Sequence, residues 1–469
     1  MPEMQLPPLN VAIVGLGTVG SGVARVLLEH PERIARRCGR PVVLRCAVAR
    51  DLSKQRDVAL PPGVLTDDVR RVIDDPEIDV VVQLVGGIEP ARTFMLQALQ
   101  AGKDVVTANK ALIYEHGGEV FRAARDTGRV VAFEASVCGG IPVIAAIGQS
   151  LAANQILSIE AILNGTSNFI LTGMFSERVD YAEMIRRAQA AGYAEADPAM
   201  DVDGTDAAQK LVILTQLAFG TRASLSEFAV RGIDSLELAD LLYADELGYA
   251  VKLLAVSKLA AGELEMHVQP TLIRKDRPLA GIGSVYNQVS IKGDVVGRTW
   301  FSGLGAGRNP TASAVLADLI DVAVGRAALT FDRLDVWGEH PPVPVKRAED
   351  VEARYFLRFN VEDRPHVFAD IADILGRNQI SLASIIQHEA PELEERELQA
   401  EGGRRKAEDG TRTDPSLSQL STLNSQLFPV VPVVVMTHRT SEGRFRGAER
   451  ELQQLTTLRP PWVRMPVAD

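Results

Sequence analysis

Short apolar runs alternate with helix-patterned segments through the first 150 residues of the chain. Strands that are apolar at nearly every position are buried on both faces, as parallel strands are, and parallel strands need crossover helices between them. The predicted strands are 11–14, 42–48, 79–85, 104–106 and 130–133, and the predicted helices include 19–36 and 90–101. The pattern predicts an α/β domain over 1–150 with a doubly wound parallel sheet.

Longer helical patterns and β-rich stretches follow from about residue 151. The predicted elements are helices at 180–191, 204–219, 236–249 and 311–330, and a strand at 264–273. A Pro-rich stretch at 337–345 cannot continue a helix and is typical of a linker. We therefore expect an α+β domain over 151–346.

The last part of the chain has the pattern of a small βαββαβ module over 347–469. The expected elements are strands at 354–361, 380–387, 430–436 and 462–467, with helices at 365–378 and 444–455. Between its halves, residues 391–425 are rich in charge, Ser and Thr and nearly free of aromatics, which is typical of a segment that buries too little surface to fold. We expect a disordered insertion there.

Composition excludes several classes of partner and location. The 469 residues carry 50 Lys+Arg and 61 Asp+Glu, a formal net charge of −11. Nucleic acid and anionic membranes select clustered positive charge, so neither is expected as a partner. The chain shows no N-terminal signal pattern, no long apolar run, and only three cysteines without zinc or disulfide spacing. These features favour the cytoplasm.

A glycine motif follows the first predicted strand directly and opens the next helix. Gly15, Gly17 and Gly20 have the G-x-G-x-x-G spacing, with Thr18 and Val19 between them at the start of the helix. The first glycine permits the tight turn, the second lets a pyrophosphate approach the backbone, and the third allows close helix–strand packing. The context predicts a Rossmann dinucleotide site, the alternative being a Gly-rich turn without ligand.

The end of the second strand bears on the choice between NAD and NADP. An acidic residue there binds the ribose hydroxyl of NAD, whereas an arginine accommodates the 2′-phosphate of NADP. Arg50, with Lys54 nearby, favours NADP, although Asp51 keeps NAD open and Arg50 could be a solvated loop cation.

Two lysines are candidates for chemistry. Lys110 follows the strand at 104–106, and ligands of open parallel sheets bind at the carboxyl ends of strands. Lys210 lies four residues after Asp206 on a predicted helix, so the two side chains share one face. Taken alone, that pair is more typical of a surface ion pair.

Four carboxylates crowd into the segment immediately before that helix. They are Glu195, Asp197, Asp201 and Asp203. Such a density requires cations nearby. A zwitterionic amino acid would supply an ammonium group for these carboxylates while the lysines contact its oxygens. The alternative is an acidic loop that caps the helix, and Asp203 is a good candidate for that cap.

The chain resembles the homoserine dehydrogenase family over nearly all of residues 10–335. The segments that carry the resemblance are 15–20 (Gly-Leu-Gly-Thr-Val-Gly), 107–113 (Thr-Ala-Asn-Lys-Ala-Leu-Ile), 134–142, 164–171, 192–198, 201–210 and 305–315. The resemblance implies NAD(P)-dependent, reversible reduction of L-aspartate 4-semialdehyde to L-homoserine, on the route to threonine, methionine and isoleucine.

The same resemblance implies roles for individual residues. Lys210 matches the proton donor, Lys110 a second lysine at the reacting oxygen and the cofactor, and Asp206 the residue that positions it. Glu195 and Asp201 match carboxylates that bind the substrate.

The resemblance also implies a bound sodium ion. The segment 134–141 is similar to the family's sodium-binding loop, in which Glu134 and the carbonyl groups of Val137, Gly139 and Ile141 would face a hard cation. Oxygen-only ligation suits such an ion. We expect the ion to be structural, and the alternative is that these residues only shape a turn.

The halves 352–390 and 429–469 look like an ACT domain, which implies feedback inhibition by L-threonine. Equal inhibition of a 1–346 truncation would argue against that role. The family also implies a homodimer or a higher homo-oligomer. Two alternatives remain open at this stage: a catalytically degenerate NAD(P)-binding amino-acid sensor, and a related dehydrogenase acting on another small substrate.

Overall fold

The computed structural model describes residues 6–335, 337–338, 341–387 and 429–468. The chain forms two compact units. Unit 1 comprises residues 1–234, 251–270 and 275–347, and unit 2 comprises residues 235–250, 271–274 and 348–469. The expected insertion at 391–425 lies outside the described residues. None of the helices within the described ranges is long and apolar enough to cross a bilayer.

The first sheet of unit 1 is wholly parallel, with strand order β3-β2-β1-β4-β5-β6. Its strands are β1 (Leu9–Val14), β2 (Val42–Val48), β3 (Leu65–Thr66), β4 (Val80–Gln83), β5 (Asp104–Thr107) and β6 (Val131–Ala132). Its connections include α1 (Thr18–Glu29), α2 (Pro31–Cys38), α3 (Arg70–Ile73), α4 (Ala91–Gln100) and α5 (Lys110–Thr127). The doubly wound α/β prediction is confirmed.

Two predicted helices are each broken in two. The helix expected over 19–36 ends at Glu29 and restarts at Pro31, because a proline lacks the N–H that a continuous helix needs. The helix expected over 311–330 is α12 (Arg308–Ala323) followed by α13 (Arg326–Leu334), and Gly325 between them has φ +76°. Both breaks coincide with residues that terminate helices.

The remaining strands of unit 1 form a sheet in the order β12-β11-β7-β9-β10. They are β7 (Ile156–Ile162), β9 (Tyr249–Ala260), β10 (Glu263–Arg274), β11 (Tyr286–Gly293) and β12 (Gly297–Leu304), with β8 (Ala229–Val230) pairing β10. The first two residues of β9 and the last four of β10 belong to unit 2. The accompanying helices are α6 (Val143–Ala145), α7 (Gly165–Glu177), α8 (Tyr181–Ala190), α9 (Ala199–Val202) and α10 (Thr205–Phe219).

Helix α12 packs in the half of unit 1 that contains the parallel sheet, although it follows the second sheet in sequence. Its buried residues Ala312, Val315 and Leu319 share one core with Val11 and Ile13 of β1. Burying this apolar face excludes water from both elements. A helix from the C-terminal part of unit 1 therefore contributes to the core of the parallel sheet.

Unit 2 contains the module expected at the C-terminus. Strands β13 (Glu352–Glu362), β14 (Leu382–Gln387), β15 (Val430–Thr437), β16 (Thr440–Ser441) and β17 (Leu458–Ala468) accompany helices α14 (Val367–Arg377) and α15 (Glu442–Leu452). β13 pairs β15 and β17, and β14 pairs β15, all antiparallel. The helix α11 (Leu238–Glu246) and residues 271–274 also belong to this unit, and Leu272 pairs Val467.

Candidate active site

The glycine turn after β1 has the shape of a dinucleotide cradle. Gly15 has φ +103°, a conformation that side chains rarely adopt, and a Cβ on Gly20 would lie 2.1 Å from the Gly15 carbonyl oxygen. A Cβ on Gly17, by contrast, would meet no atom within 4 Å. The N-terminal amides of the 12-residue α1 follow at once, beginning with exposed Thr18 and half-buried Val19. Open space at Gly17 before a helix N-terminus fits a pyrophosphate.

The loop after β2 is organised by its acidic residue. Asp51 accepts hydrogen bonds at Oδ1 from the Ser53 backbone (2.9 Å), the Ser53 hydroxyl (2.7 Å) and the Lys54 backbone (3.1 Å). The Ser53 hydrogen bonds lower the pKa of this carboxyl. Arg50 is exposed beside it, and Arg56 donates to the Leu16 carbonyl oxygen of the glycine turn (3.3 Å).

Lys110 is placed by the turn between β5 and α5. The Asn109 side chain caps α5 by accepting from Leu112 N (3.1 Å) and donates to the carbonyl oxygens of Val85 (2.9 Å) and Gly87 (2.7 Å). A Cβ on Gly15 would lie 2.9 Å from Val85 N, so the same segment also borders the glycine turn. Lys110 therefore stands at the carboxyl edge of the sheet beside the dinucleotide cradle.

Two lysines share one buried carboxylate. Lys110 Nζ lies 2.8 Å from Asp206 Oδ1, and Lys210 Nζ lies 2.7 Å from Asp206 Oδ2 and 2.8 Å from the Leu163 carbonyl oxygen. Although burial opposes ionisation of Asp206, Lys210 and Lys110 hold its pKa well below the ordinary range. Burial opposes the charge of Lys210 as well, but Asp206 raises the pKa of that lysine. Both lysines are thus held where they could contact a substrate oxygen.

Asn164 joins this cluster to a second carboxylate and was not a sequence candidate. Its Nδ2 donates to Asp201 Oδ1 (2.8 Å) and to Asp206 Oδ2 (2.9 Å), and its Oδ1 caps α7 by accepting from Ser167 N (2.8 Å). Burial raises the pKa of Asp201. The sequence signal that could have found Asn164 is an N-cap asparagine before a helix, but it reveals neither carboxylate.

Glu195 is not brought into this network. The residue is exposed between α8 and α9, and its carbonyl oxygen accepts from Gln189 Nε2 (3.2 Å). Its carboxylate makes no ion pair within the described part of the chain. The substrate role implied for Glu195 remains a prediction, and the structure assembles only Lys110, Asp206, Lys210 and Asp201.

The loop at 134–141 offers carbonyl oxygens to a cation. The Glu134 carboxylate accepts from Ile144 N (2.9 Å) and Ala145 N (2.7 Å), and burial raises its pKa to about 7. Across the described residues, the carbonyl groups of Val137 and Gly139 accept no backbone N–H, whereas that of Ile141 accepts from Val143 N (2.7 Å). Two free carbonyl groups fit a hard cation, but the Glu134 side chain is already engaged.

A dinucleotide cradle beside two ammonium groups suits one kind of chemistry. Reduction of a carbonyl group needs a hydride donor, and it needs a proton or a positive charge at the oxygen that becomes an alkoxide. The fold and the site therefore define an NAD(P)-dependent oxidoreductase.

Comparison with known proteins identifies the family. The family models described as "Homoserine dehydrogenase, NAD binding domain", "Homoserine dehydrogenase" and "ACT domain" match residues 15–134, 142–320 and 355–409. A homoserine dehydrogenase of Pseudomonas aeruginosa is 41% identical, over 98% of this chain and 99% of its own. The chain belongs to the homoserine dehydrogenase family.

Solved structures agree with this assignment. The crystal structure of a homoserine dehydrogenase from Thiobacillus denitrificans has a TM-score of 0.84 and 38% identity, covering 99% of this chain and 100% of its own. A hyperthermophilic archaeal homoserine dehydrogenase in complex with NADPH has a TM-score of 0.57 and 25% identity, covering 72% of this chain and 99% of its own. The comparisons support the family's dehydrogenase function and not the sensor alternative.

Proposed function

We propose that unit 1 interconverts L-aspartate 4-semialdehyde and L-homoserine through the two lysines that share Asp206. The observation that carries this proposal is the pair of contacts at 2.8 and 2.7 Å between Asp206 and Lys110 and Lys210. The test is the initial rate of L-homoserine oxidation with NADP and with NAD. If the chain binds NADPH but oxidises L-homoserine with neither cofactor, the substrate assignment is wrong.

Each residue of the cluster has a distinct task in the proposed reaction. A nicotinamide dinucleotide held at the Gly15–Gly20 turn would supply the hydride for the aldehyde carbon. Lys210 Nζ then gives a proton to the aldehyde oxygen, and Lys110 offers a second positive charge there. Asp206 orients both ammonium groups. Asp201 and Glu195 are proposed to hold the substrate ammonium group, and burial of Asp201 strengthens such an ion pair.

NADP is the proposed preferred cofactor because Arg50 is exposed after β2 while Asp51 Oδ1 is committed to its own turn. Arg50→Ala should lower kcat/KM for NADP by about tenfold or more, since a charge-assisted hydrogen bond contributes about 1.5–3 kcal/mol. The rate with NAD should change little. Arg36→Ala, at another exposed arginine, is the control. An unchanged NADP-to-NAD ratio in Arg50→Ala would contradict the preference.

Threonine is the proposed effector of the ACT domain in unit 2. Inhibition requires that threonine binds two states of the protein differently. Trp462 stacks on Phe359 within unit 2, at a centroid distance of 5.7 Å, and the other tryptophans are Trp300 and Trp337. In a Trp300→Phe, Trp337→Phe chain, L-threonine should quench or enhance Trp462 fluorescence over the same concentration range that inhibits homoserine oxidation. Inhibition with no change in Trp462 emission would argue against this location.

A structural sodium ion, a homodimer and a cytoplasmic location complete the proposal. The carbonyl groups of Val137, Gly139 and Ile141 would hold the ion, with Glu134 supplying its carbonyl oxygen, since its carboxylate caps residues 144 and 145. Strand β12 ends its sheet and exposes 48% of Trp300, which supports a subunit contact there. Three free, buried cysteines suit a reducing compartment.

A further inference from the structure

Asn164 sits between two carboxylates that have separate proposed tasks. Asp201 is proposed to bind the substrate ammonium group, and Asp206 orients the lysines. The Asn164 amide nitrogen has two hydrogens, and each is donated to one of these carboxylates, at 2.8 and 2.9 Å. The residue is 5% exposed. Both amide hydrogens of Asn164 are therefore donated to carboxylates at a position from which most water is excluded.

The orientation of the Asn164 amide is fixed by the first turn of α7. Its Oδ1 accepts from Ser167 N at 2.8 Å, so its Nδ2 must point toward the carboxylates. The Ser167 hydroxyl in turn donates to the Asp201 carbonyl oxygen at 2.6 Å. The start of α7 thus forms hydrogen bonds with both the side chain and the backbone of Asp201.

That turn is itself anchored. Asn168 Nδ2 donates to the carbonyl oxygens of Ile282 (3.3 Å) and Tyr286 (3.0 Å), and buried Lys252 donates to Asn168 Oδ1 (3.2 Å). Packing and hydrogen bonds that lock a supporting residue improve the precision of a site.

We propose that Asn164 is a positioning residue that holds Asp201 and Asp206 in one fixed geometry, coupling substrate binding to the orientation of Lys210. The inference rests on the proposed roles of those residues. Without the amide, two neighbouring buried carboxylates would repel each other and lose a shared donor. Among the described residues, no hydrogen bond joins Asn164 to Lys110 or Lys210, so Asn164 acts through Asp206.

The test uses Asn164→Ser and Asn164→Asp in the full-length chain, because both keep an oxygen acceptor for Ser167 N at the cap of α7. Asn164→Ser retains an acceptor for Ser167 N but removes the amide, so kcat for L-homoserine oxidation should fall about tenfold or more and KM for homoserine should rise, because misplacement by about 1 Å costs up to about 100-fold. Asp201→Asn, in comparison, should raise KM with a smaller change in kcat. Thermal unfolding and NADPH affinity report whether each variant is folded.

Asn164→Asp supplies a readout that a purely structural role would not move. The charged groups around position 164 are Asp201 of α9, Asp206 and Lys210 of α10 and, beyond Asp206, Lys110 of α5; the Cys138 thiol also lies near Lys210. A third buried carboxylate there raises the pKa of one carboxyl. Once that group is protonated it can donate a hydrogen bond again. Activity relative to the wild type should therefore be lowest at alkaline pH and recover as the pH falls toward about 6.

Asp180→Ala serves as the matched control. Asp180 caps α8 from an exposed position by accepting from Glu183 N at 2.7 Å, so its removal perturbs a helix cap without touching the carboxylates. It should leave kcat, KM and the pH profile unchanged. Wild-type kinetics in Asn164→Ser, or a loss in Asn164→Asp that is equal at every pH, would overturn the positioning role. If the unaltered chain does not oxidise L-homoserine, the proposed function fails instead.

Discussion

Replacement of Lys210 by alanine should lower kcat for L-homoserine oxidation by about 10²–10⁴-fold, the range over which a positioned acid or base contributes. The fold should survive, because Asp206 keeps Lys110 as a partner at 2.8 Å and so is not left as an unpaired buried charge. NADPH affinity, measured by fluorescence, should be unchanged. Lys292→Ala, at an exposed lysine on β11, is the control. A kcat within about twofold of the wild type would assign the proton to another group.

Lys210→Arg separates proton transfer from charge stabilisation at the same position. A guanidinium keeps the positive charge but stays protonated at every pH at which the enzyme is assayed, so it cannot act as a proton donor or acceptor. If Lys210 moves the proton, Lys210→Arg should be nearly as slow as Lys210→Ala. If it only stabilises the alkoxide, the arginine variant should retain most of the activity.

The raised pKa of Lys210 predicts how the rates of aldehyde reduction and of homoserine oxidation depend on pH. Asp206 raises the pKa of Lys210, so at neutral pH this lysine carries the proton that aldehyde reduction consumes. Homoserine oxidation needs the neutral amine, and its rate should rise with pH toward and beyond the ordinary lysine value of about 10.4. Asp206→Asn removes the charge that raises this pKa, so its oxidation profile should move to lower pH.

Arg358→Met should lower the free energy of unfolding of unit 2 by about 3–5 kcal/mol, because it leaves a fully buried carboxylate without its partner. Arg358 Nε lies 2.5 Å from Asp240 Oδ1, and Arg358 Nη2 lies 2.8 Å from Glu237 Oε2. Arg358 and Asp240 are 1% and 0% exposed. Denaturant unfolding followed by Trp462 fluorescence measures the loss.

The pH dependence of that loss has a definite sign. In Arg358→Met, burial raises the pKa of Asp240 above its unfolded value, so the folded state binds a proton more tightly, and stability is regained as the pH falls. The defect should shrink between pH 7.5 and about 5. Arg377→Met, which removes surface ion pairs with Asp373 and Glu451, both at 3.0 Å, should cost less than about 1 kcal/mol and is the matched control. A comparable loss in the two variants would contradict the buried-pair argument.

Local signals predicted the parallel sheet well because apolar runs and Gly-x-Gly-x-x-Gly depend on near neighbours. The pattern did not predict strands β7, β9, β11 and β12, which share no common burial pattern: β9 and β11 each contain five consecutive buried residues, whereas β12 contains none. Nor could periodicity show that Ala312 and Leu319 of α12 share a core with Ile13. That contact joins residues about three hundred positions apart and depends on the whole tertiary fold.

In the candidate site, too, some contacts follow from the local sequence and others depend on the whole tertiary fold. Lys210 and Asp206 are four residues apart on one helix, so their contact follows from helix geometry. Lys110 and Asn164 reach Asp206 from 96 and 42 residues away, and only the assembled fold brings them there. Lys110 was a candidate from its place after the strand at 104–106 and from the resemblance to a family, whereas Asn164 emerged from the hydrogen bonds alone.

The path of the chain through unit 2 limits how the regulatory module could be exchanged between proteins. The chain enters this unit at 235–250, returns for residues 271–274 and enters finally at 348. A cut at 346 would remove Arg358 from Asp240 and Val467 from Leu272. A functional chimera would therefore have to transplant residues 235–250 and 271–274 together with the C-terminal residues. A truncation would report damaged folding as well as lost regulation.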